Sequence, residues 1–190
     1  MANNFDTIVI GLGAMGSAAV YQLAKRSNKV LCLDQFSPPH PNGSSHGETR
    51  IIRQAIGEGE EYVPFALRSY ELWREIEKEA SKELLTITGG LTLQSQTNEA
   101  VMHGRRDFLG EAIRCAKKFK IRYEILGTAE IRKRYPQFAV TDERGYYEYE
   151  TGFLRPEACI EALLSLARKY GAFVQTDERV VSIEAHGDLG

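Results

Sequence analysis

Near the N-terminus the apolar residues fall into two short continuous runs, Ile8-Val9-Ile10 and Val30 to Leu33, with a helix-like stretch from Ala14 to Lys25 between them. Apolar, β-branched runs of this length, closed by Gly11 and Asp34, predict strands, so Phe5 to Leu33 reads as β-loop-α-β. From Phe36 to Glu60 both periods disappear and breakers crowd in: Pro38-Pro39, Pro41, Asn42-Gly43 and further glycines. That segment is too irregular for a helix and too rich in breakers for a central strand, and a loop so long inside a compact domain is usually functional. A helical period returns over Phe65 to Ala80, with Phe65, Tyr70, Trp73, Ile76 and Ala80 near one face.

Beyond Leu85 the texture changes. Ile87 to Gln94, interrupted by Gly89-Gly90, predicts a strand pair or a bulged strand, and Asn98 to Lys120 predicts a helix through Met102, Leu109, Ile113, Ala116 and Phe119. Short strands are expected at Ile121 to Leu126 and Tyr146 to Tyr149, with a brief helix from Ala129 that must end before Pro136. Pro156 suits the first position of a helix that runs through Ile160, Leu163, Leu164 and Ala167 and stops at Gly171; a strand over Ala172 to Glu184 follows. The fold class is α/β. A Rossmann-like βαβ nucleotide domain, residues 1–86 and 151–190, is interrupted by a smaller α+β lobe over 87–150.

Composition narrows the partner. The 190 residues carry 24 Lys plus Arg against 26 Asp plus Glu, leaving no net field to attract nucleic acid or an anionic membrane. A small molecule is the expected ligand. Cys32, Cys115 and Cys159 form neither a metal pair nor an even disulfide set and read as buried thiols in a reducing compartment. The first apolar run is too short and too closely flanked by Asp6 for a leader or membrane span, so cytoplasm is the default, with no metal site expected.

The glycine loop Gly11-Leu12-Gly13-Ala14-Met15-Gly16 carries the first chemistry. In this spacing Gly11 permits the tight turn, Gly13 lets backbone approach a diphosphate, and Gly16 packs helix against strand. The helix start, Ala14 and Met15 included, offers free amides and a positive dipole end to the phosphates. A bare GxGxxG is weak evidence. Here it follows a strand, opens a helix and is answered by Asp34, an acceptor for ribose hydroxyls. No arginine directly follows Asp34 to hold a 2′-phosphate, which argues against NADP.

The second signal is the loop Pro38-Pro39-His40-Pro41-Asn42-Gly43-Ser44-Ser45-His46-Gly47-Glu48-Thr49-Arg50-Ile51-Ile52-Arg53. It brings imidazole, guanidinium and hydroxyl groups into a glycine-rich segment just past a nucleotide site, which suits an anion. Reduced flavin is such an anion, with charge around N1 and the C2 carbonyl that fixed cations stabilise. Joined to the glycine loop and Asp34, this points to FAD.

In PPHPNGSSHGETRIIR and GEGEEYVPFALR the sequence resembles the FAD-dependent oxidases of secondary amino acids, the monomeric sarcosine oxidase and N-methyl-L-tryptophan oxidase family, with pipecolate oxidase slightly further off; the likeness runs from Phe5 to Glu184. The resemblance implies a p-hydroxybenzoate-hydroxylase-like fold, an FAD domain interrupted by a substrate domain, and oxidation of a secondary amino acid to an imine with hydride passing to flavin N5 and O2 becoming H2O2. By matched position, Gly11, Gly13, Ala14, Met15 and Gly16 would hold the diphosphate; Asp34 and Gln35 would meet the adenosine side. Ser45, His46, Thr49 and Arg50 would lie by the isoalloxazine, Arg53 would pair with the substrate carboxylate, and the backbone of Val180 would meet the adenine. His46, Arg50 and Arg53 are the catalytic candidates. Ser45 stands where close relatives have a second histidine. The family's chains are about twice as long, so an incomplete fold is expected here, without the family's flavin-tethering cysteine, oxygen-activating lysine and second carboxylate-binding cation.

Two other readings stay open. An NAD-dependent dehydrogenase shares the βαβ opening, but a long loop stands where its short crossover should begin. A truncated remnant that keeps only nucleotide affinity is the third, its last strand offering an edge for self-association.

Overall fold

The computed structural model describes residues 4–97, 107–184 and 187. Strand β1 (Thr7–Ile10), helix α1 (Ala14–Lys25) and strand β2 (Val30–Leu33) form the expected opening. β3 (Arg50–Ile52), a 3-10 turn at Glu60–Tyr62 and α2 (Val63–Ala80) follow, then β4 (Leu85–Ile87), β5 (Gly90–Gln94) and α3 (Phe108–Lys118). The remainder is β6 (Tyr123–Leu126), α4 (Thr128–Arg134), β7 (Arg144–Glu148), β8 (Gly152–Leu154), α5 (Pro156–Lys169) and β9 (Phe173–Gln175). The part of the expected 98–120 helix that falls on 98–106 lies outside the described residues.

The chain divides into two compact units, Met1–Arg50 with Ile76–Leu84 and Arg155–Gly190, and Ile51–Glu75 with Leu85–Leu154. The first is built on the sheet β1-β2-β9. Both pairings are parallel, Thr7 opposite Val30 through Ile10 opposite Leu33, and Leu31 opposite Phe173 through Leu33 opposite Gln175. Ser17, Val20, Tyr21 and Ala24 of α1, three and four residues apart, are buried together, and α5 buries Cys159, Ile160, Leu163, Leu164 and Ala167. The two helices pack on each other and reach the sheet from one side, where Val30 and Cys32 are fully buried. On the other side Ile8, Ile10 and Phe173 remain 55%, 50% and 51% exposed. Glu79, from the end of α2, ties this unit together by accepting from Tyr21 Oη at 2.8 Å, Lys25 Nζ at 2.9 Å and Tyr170 Oη.

The second unit carries an antiparallel sheet, β5-β7-β6, and a three-stranded sheet, β3-β8-β4. Helix α3 starts at Asp107, whose carboxylate accepts the Gly110 N–H at 3.0 Å. It buries Leu109, Ala112, Cys115 and Ala116 against Ala55, Val63, Ile121 and Tyr146.

Three elements depart from the sequence pattern. The expected strand pair around Gly89-Gly90 is two strands of two different sheets, because Gly89 turns the chain at φ +71°, and a Cβ there would collide with the Tyr147 hydroxyl. Within the irregular 36–60 segment, Arg50–Ile52 forms a strand at a sheet edge, a place that tolerates breakers on either side. The expected strand over 172–184 shortens to Phe173–Gln175, since Asp177 enters the left-handed region at φ 61° and Glu178 N–H turns to donate to the Asp34 carbonyl at 2.9 Å. Val180 is therefore not in a strand.

Candidate functional site

The glycine loop joins β1 to α1 with the geometry its spacing requires. Gly11 sits at φ +86° and donates to the Leu33 carbonyl at 2.8 Å, and a Cβ on Gly16 would collide with the Gly11 carbonyl oxygen. Only glycine keeps helix and strand this close. Gly13 occupies the helix N-cap and makes no side-chain cap bond of its own, and the positive end of α1 opens beside it. The Ala14 N–H is taken by Ser45 Oγ at 3.1 Å; Ala14 and Met15 are otherwise exposed.

Asp34, just past the end of β2, is only 7% exposed. Its Oδ2 accepts the Leu12 N–H at 2.7 Å and its Oδ1 the Phe36 N–H at 2.9 Å, while His40 Nε2 stands 3.3 Å from Oδ1. The carboxylate thus fixes the glycine loop and the start of the long loop at once. Beside it opens a cleft of about 430 Å³ whose lining includes Gly11, Gly13, Asp34, His40, Ser45 and Val180. Exposed Gln35 and the Glu178-Arg179 backbone region also border it. Small-ligand sites have volumes of roughly this order.

His46, Thr49 and Arg50 are exposed and do not line that cleft. Arg50 instead gathers its own loop: its guanidinium donates to the carbonyls of Ser44 at 2.8 Å, His46 at 2.5 Å and Thr49 at 2.8 Å. Gly47, at φ +104°, points its N–H at Glu157 Oε1, 2.6 Å away. That amide, the Glu157 amide and the nearby charges of His46 and Arg50 hold the Glu157 carboxyl below its ordinary range. Nothing in the long loop signals Glu157. Its position in the first turn of α5, after Pro156, does mark it as a residue for a helix N-terminus.

Arg53 belongs to the second unit. Its Nη2 reaches both oxygens of Glu58, at 2.6 and 2.8 Å, its guanidinium lies 5.3 Å from the Phe108 ring centroid, and its buried Nε has no hydrogen-bond partner. The backbone directly after it is gripped by Glu148, which is 1% exposed. Its carboxylate accepts the Gln54 N–H at 2.7 Å, the Ala55 N–H at 3.0 Å, Tyr146 Oη at 2.9 Å and Thr151 Oγ1 at 2.9 Å. The bonds that Glu148 and His40 make are not marked in the sequence. A glutamate ending a tyrosine-rich strand and a histidine among prolines carry no local signal of such roles.

The three cysteines are free and buried. Burial pushes the Cys32 thiol up to about 11 and the Cys159 thiol up to about 12, so neither is a ready nucleophile.

A dinucleotide loop, an acidic residue at the next strand end and a cation-bearing loop that follows it in the chain describe a flavin-dependent oxidoreductase. The family model for FAD dependent oxidoreductases, DAO, matches residues 6–190, and the chain belongs to that family, whose cofactor is FAD. It is 44% identical over 189 residues to monomeric sarcosine oxidase of Bacillus sp. (strain B-0618), covering 99% of this chain and 47% of that protein. To N-methyl-L-tryptophan oxidase of Yersinia pestis (strain Pestoides F) it is 35% identical over 184 residues, covering 96% and 47%. Among solved structures, NikD, an unusual amino acid oxidase essential for nikkomycin biosynthesis, superposes with a TM-score of 0.79 at 25% identity, covering 93% of this chain and 44% of NikD. The chain spans about half the length of the curated relatives it matches. Among the described residues, no helix is long and apolar enough to cross a membrane.

Proposed function

We propose that this chain supplies the FAD-diphosphate site and one substrate-carboxylate cation of an oxidase of N-methyl or cyclic secondary amino acids. The observation that carries the reading is Arg53, a guanidinium already holding a carboxylate through two hydrogen bonds, in a chain whose relatives include monomeric sarcosine oxidase and N-methyl-L-tryptophan oxidase.

The residues fit the cofactor. The cradle at Gly11, Gly13 and Gly16, which a Cβ at Gly16 would destroy, leaves room for a diphosphate at the head of α1, with Ala14 and Met15 in its first turn. Asp34 and Gln35 border the cleft where the adenosine belongs, and Val180 lines it from backbone outside any strand. FAD, when bound, accepts the electrons of amine oxidation and passes them to O2, giving H2O2. The chain's own part is positioning and charge. Arg53 orients the substrate carboxylate, and Arg50, by closing three carbonyls around itself, sets the shape of the Ser44 to Arg50 loop. Ser45, His46 and Thr49 are then presented toward the flavin ring on that loop. The partners are accordingly a small secondary amino acid and O2. Three buried free thiols are in keeping with a reducing cytoplasm.

Titration of the purified chain with FAD, followed by protein and flavin fluorescence and by the yellow absorbance of the bound fraction, tests the reading. Binding that is lost in Gly16→Ala supports it; colourless protein that binds NADH instead overturns it. Peroxide formation from N-methylglycine or pipecolate, lowered at least tenfold in Arg53→Met, is the corresponding test of activity. A second reading, a nucleotide-binding module without turnover, is favoured by the placement of the whole cleft lining within the first unit. FAD binding with no peroxide formation would select it.

A further inference from the structure

Asp34 is well stocked with donors before any ligand arrives. A carboxylate offers about four lone-pair sites, two on each oxygen. The Phe36 N–H occupies one site on Oδ1 at 2.9 Å, and the Leu12 N–H one site on Oδ2 at 2.7 Å. The fate of the second Oδ1 site rests on His40, whose Nε2 lies 3.3 Å away. The opposite ring nitrogen decides the tautomer. Asn42 N–H donates to His40 Nδ1 at 3.2 Å, so Nδ1 carries no proton and the ring's proton sits on Nε2, aimed at Asp34. The ring is held in that orientation by edge packing on Phe36, with centroids 5.1 Å apart. Both sites on Oδ1 are therefore filled and one site on Oδ2 is left.

On the reading that Asp34 meets the adenosine ribose, we propose that His40 is a positioning residue that makes Asp34 an acceptor for one ribose hydroxyl rather than two. Two-hydroxyl recognition by a strand-end carboxylate uses one free site on each oxygen, and here the Oδ1 site is closed by an imidazole that itself lines the cleft. His40 thereby fixes which carboxylate oxygen faces the ligand and how many hydroxyls it can read.

Calorimetric titration of the chain with ADP, 2′-deoxy-ADP and 3′-deoxy-ADP tests this without any turnover, using wild type, His40→Leu and His40→Gln. In wild type, loss of one hydroxyl is expected to weaken binding about tenfold, the size of a hydrogen bond to a charged acceptor, and loss of the other by less than about twofold. In His40→Leu, where Oδ1 is opened, the second hydroxyl should begin to matter as well. His40→Gln, whose amide can donate to Oδ1 in place of the imidazole, should restore the wild-type asymmetry and guards against a folding defect in the leucine variant. Equal losses for both deoxy analogues in wild type, or an unchanged asymmetry in His40→Leu, would overturn the role of His40. If neither hydroxyl matters, or ADP does not bind at all, it is the placement of ribose on Asp34 that fails.

Discussion

Arg53 and Glu58 form a two-point ion pair, Nη2 to both carboxylate oxygens at 2.6 and 2.8 Å, on side chains that keep 30% and 33% of their surface exposed. On the proposal that Arg53 binds the substrate carboxylate, Glu58 occupies the guanidinium that carboxylate would need. Partial exposure limits what the pair adds to stability to about 1 kcal/mol. Glu58→Gln is expected to change the melting temperature little but to raise affinity for N-methyl amino acids several-fold, by removing an internal competitor. Arg53→Met should abolish that affinity in either background. Calorimetric titration with N-methylglycine reads both effects, and equal affinity in wild type and Glu58→Gln would show that the pair does not guard the site.

Glu148 should be the most costly single charge to disturb. It is buried and receives four donors, two of them backbone amides on the segment that follows Arg53. Glu148→Gln replaces one acceptor oxygen by an NH2 facing donors, and a cost of about 3 kcal/mol is expected. Tyr146→Phe removes only one donor and should cost about 1 kcal/mol. Urea denaturation followed by tyrosine fluorescence and far-UV circular dichroism checks the order; a Glu148→Gln loss no larger than that of Tyr146→Phe would contradict it.

These two cases show where the sequence was legible. The βαβ opening could be read because its determinants are local: apolar runs of three and four residues, three glycines and Asp34 lie within 28 residues of Thr7. Glu148 and Gln54 are 94 positions apart, and no period links them. Three-residue strands such as β3 and β8 are too short to show alternation, and sheet pairing decides them. The early end of β9 comes from a left-handed aspartate and a bond to Asp34, both tertiary choices. Likewise no local pattern marks Arg50 as the donor to three carbonyls of its own loop.

Acid should loosen the first unit through Glu79. Burial pushes its carboxyl up, but donors from Tyr170, Lys25 and Tyr21 outweigh that and bring it down to about 2 from an ordinary value of 4.5. A carboxyl depressed on folding contributes stability that is fully present above its unfolded value and is lost as pH falls through the folded one. Between pH about 4.5 and about 2 the wild type should therefore lose on the order of 2 kcal/mol that Glu79→Gln, already less stable at pH 7, does not lose. Parallel stability curves for the two proteins across that window would refute the assignment.

Ile8, Leu31 and Phe173 stand in one row across β1, β2 and β9, on the sheet side away from α1 and α5. Parallel sheets are normally covered on both faces, because their strands are apolar on both. Here Ile8, Ile10 and Phe173 are about half exposed, with Phe5 packed edge-on against Phe173. Contiguous apolar surface of this kind drives association at roughly 25 cal/mol per Å² removed from water. The chain in isolation is expected to self-associate at micromolar concentration through this face. The double substitution Ile8→Lys and Phe173→Lys should return it to monomer while leaving the α1 and α5 core, on the far side of the sheet, intact. Sedimentation velocity over a concentration series separates the outcomes. A variant that associates as wild type does would move the interaction to another surface, such as the edge of β9 that pairs with no other strand among the described residues.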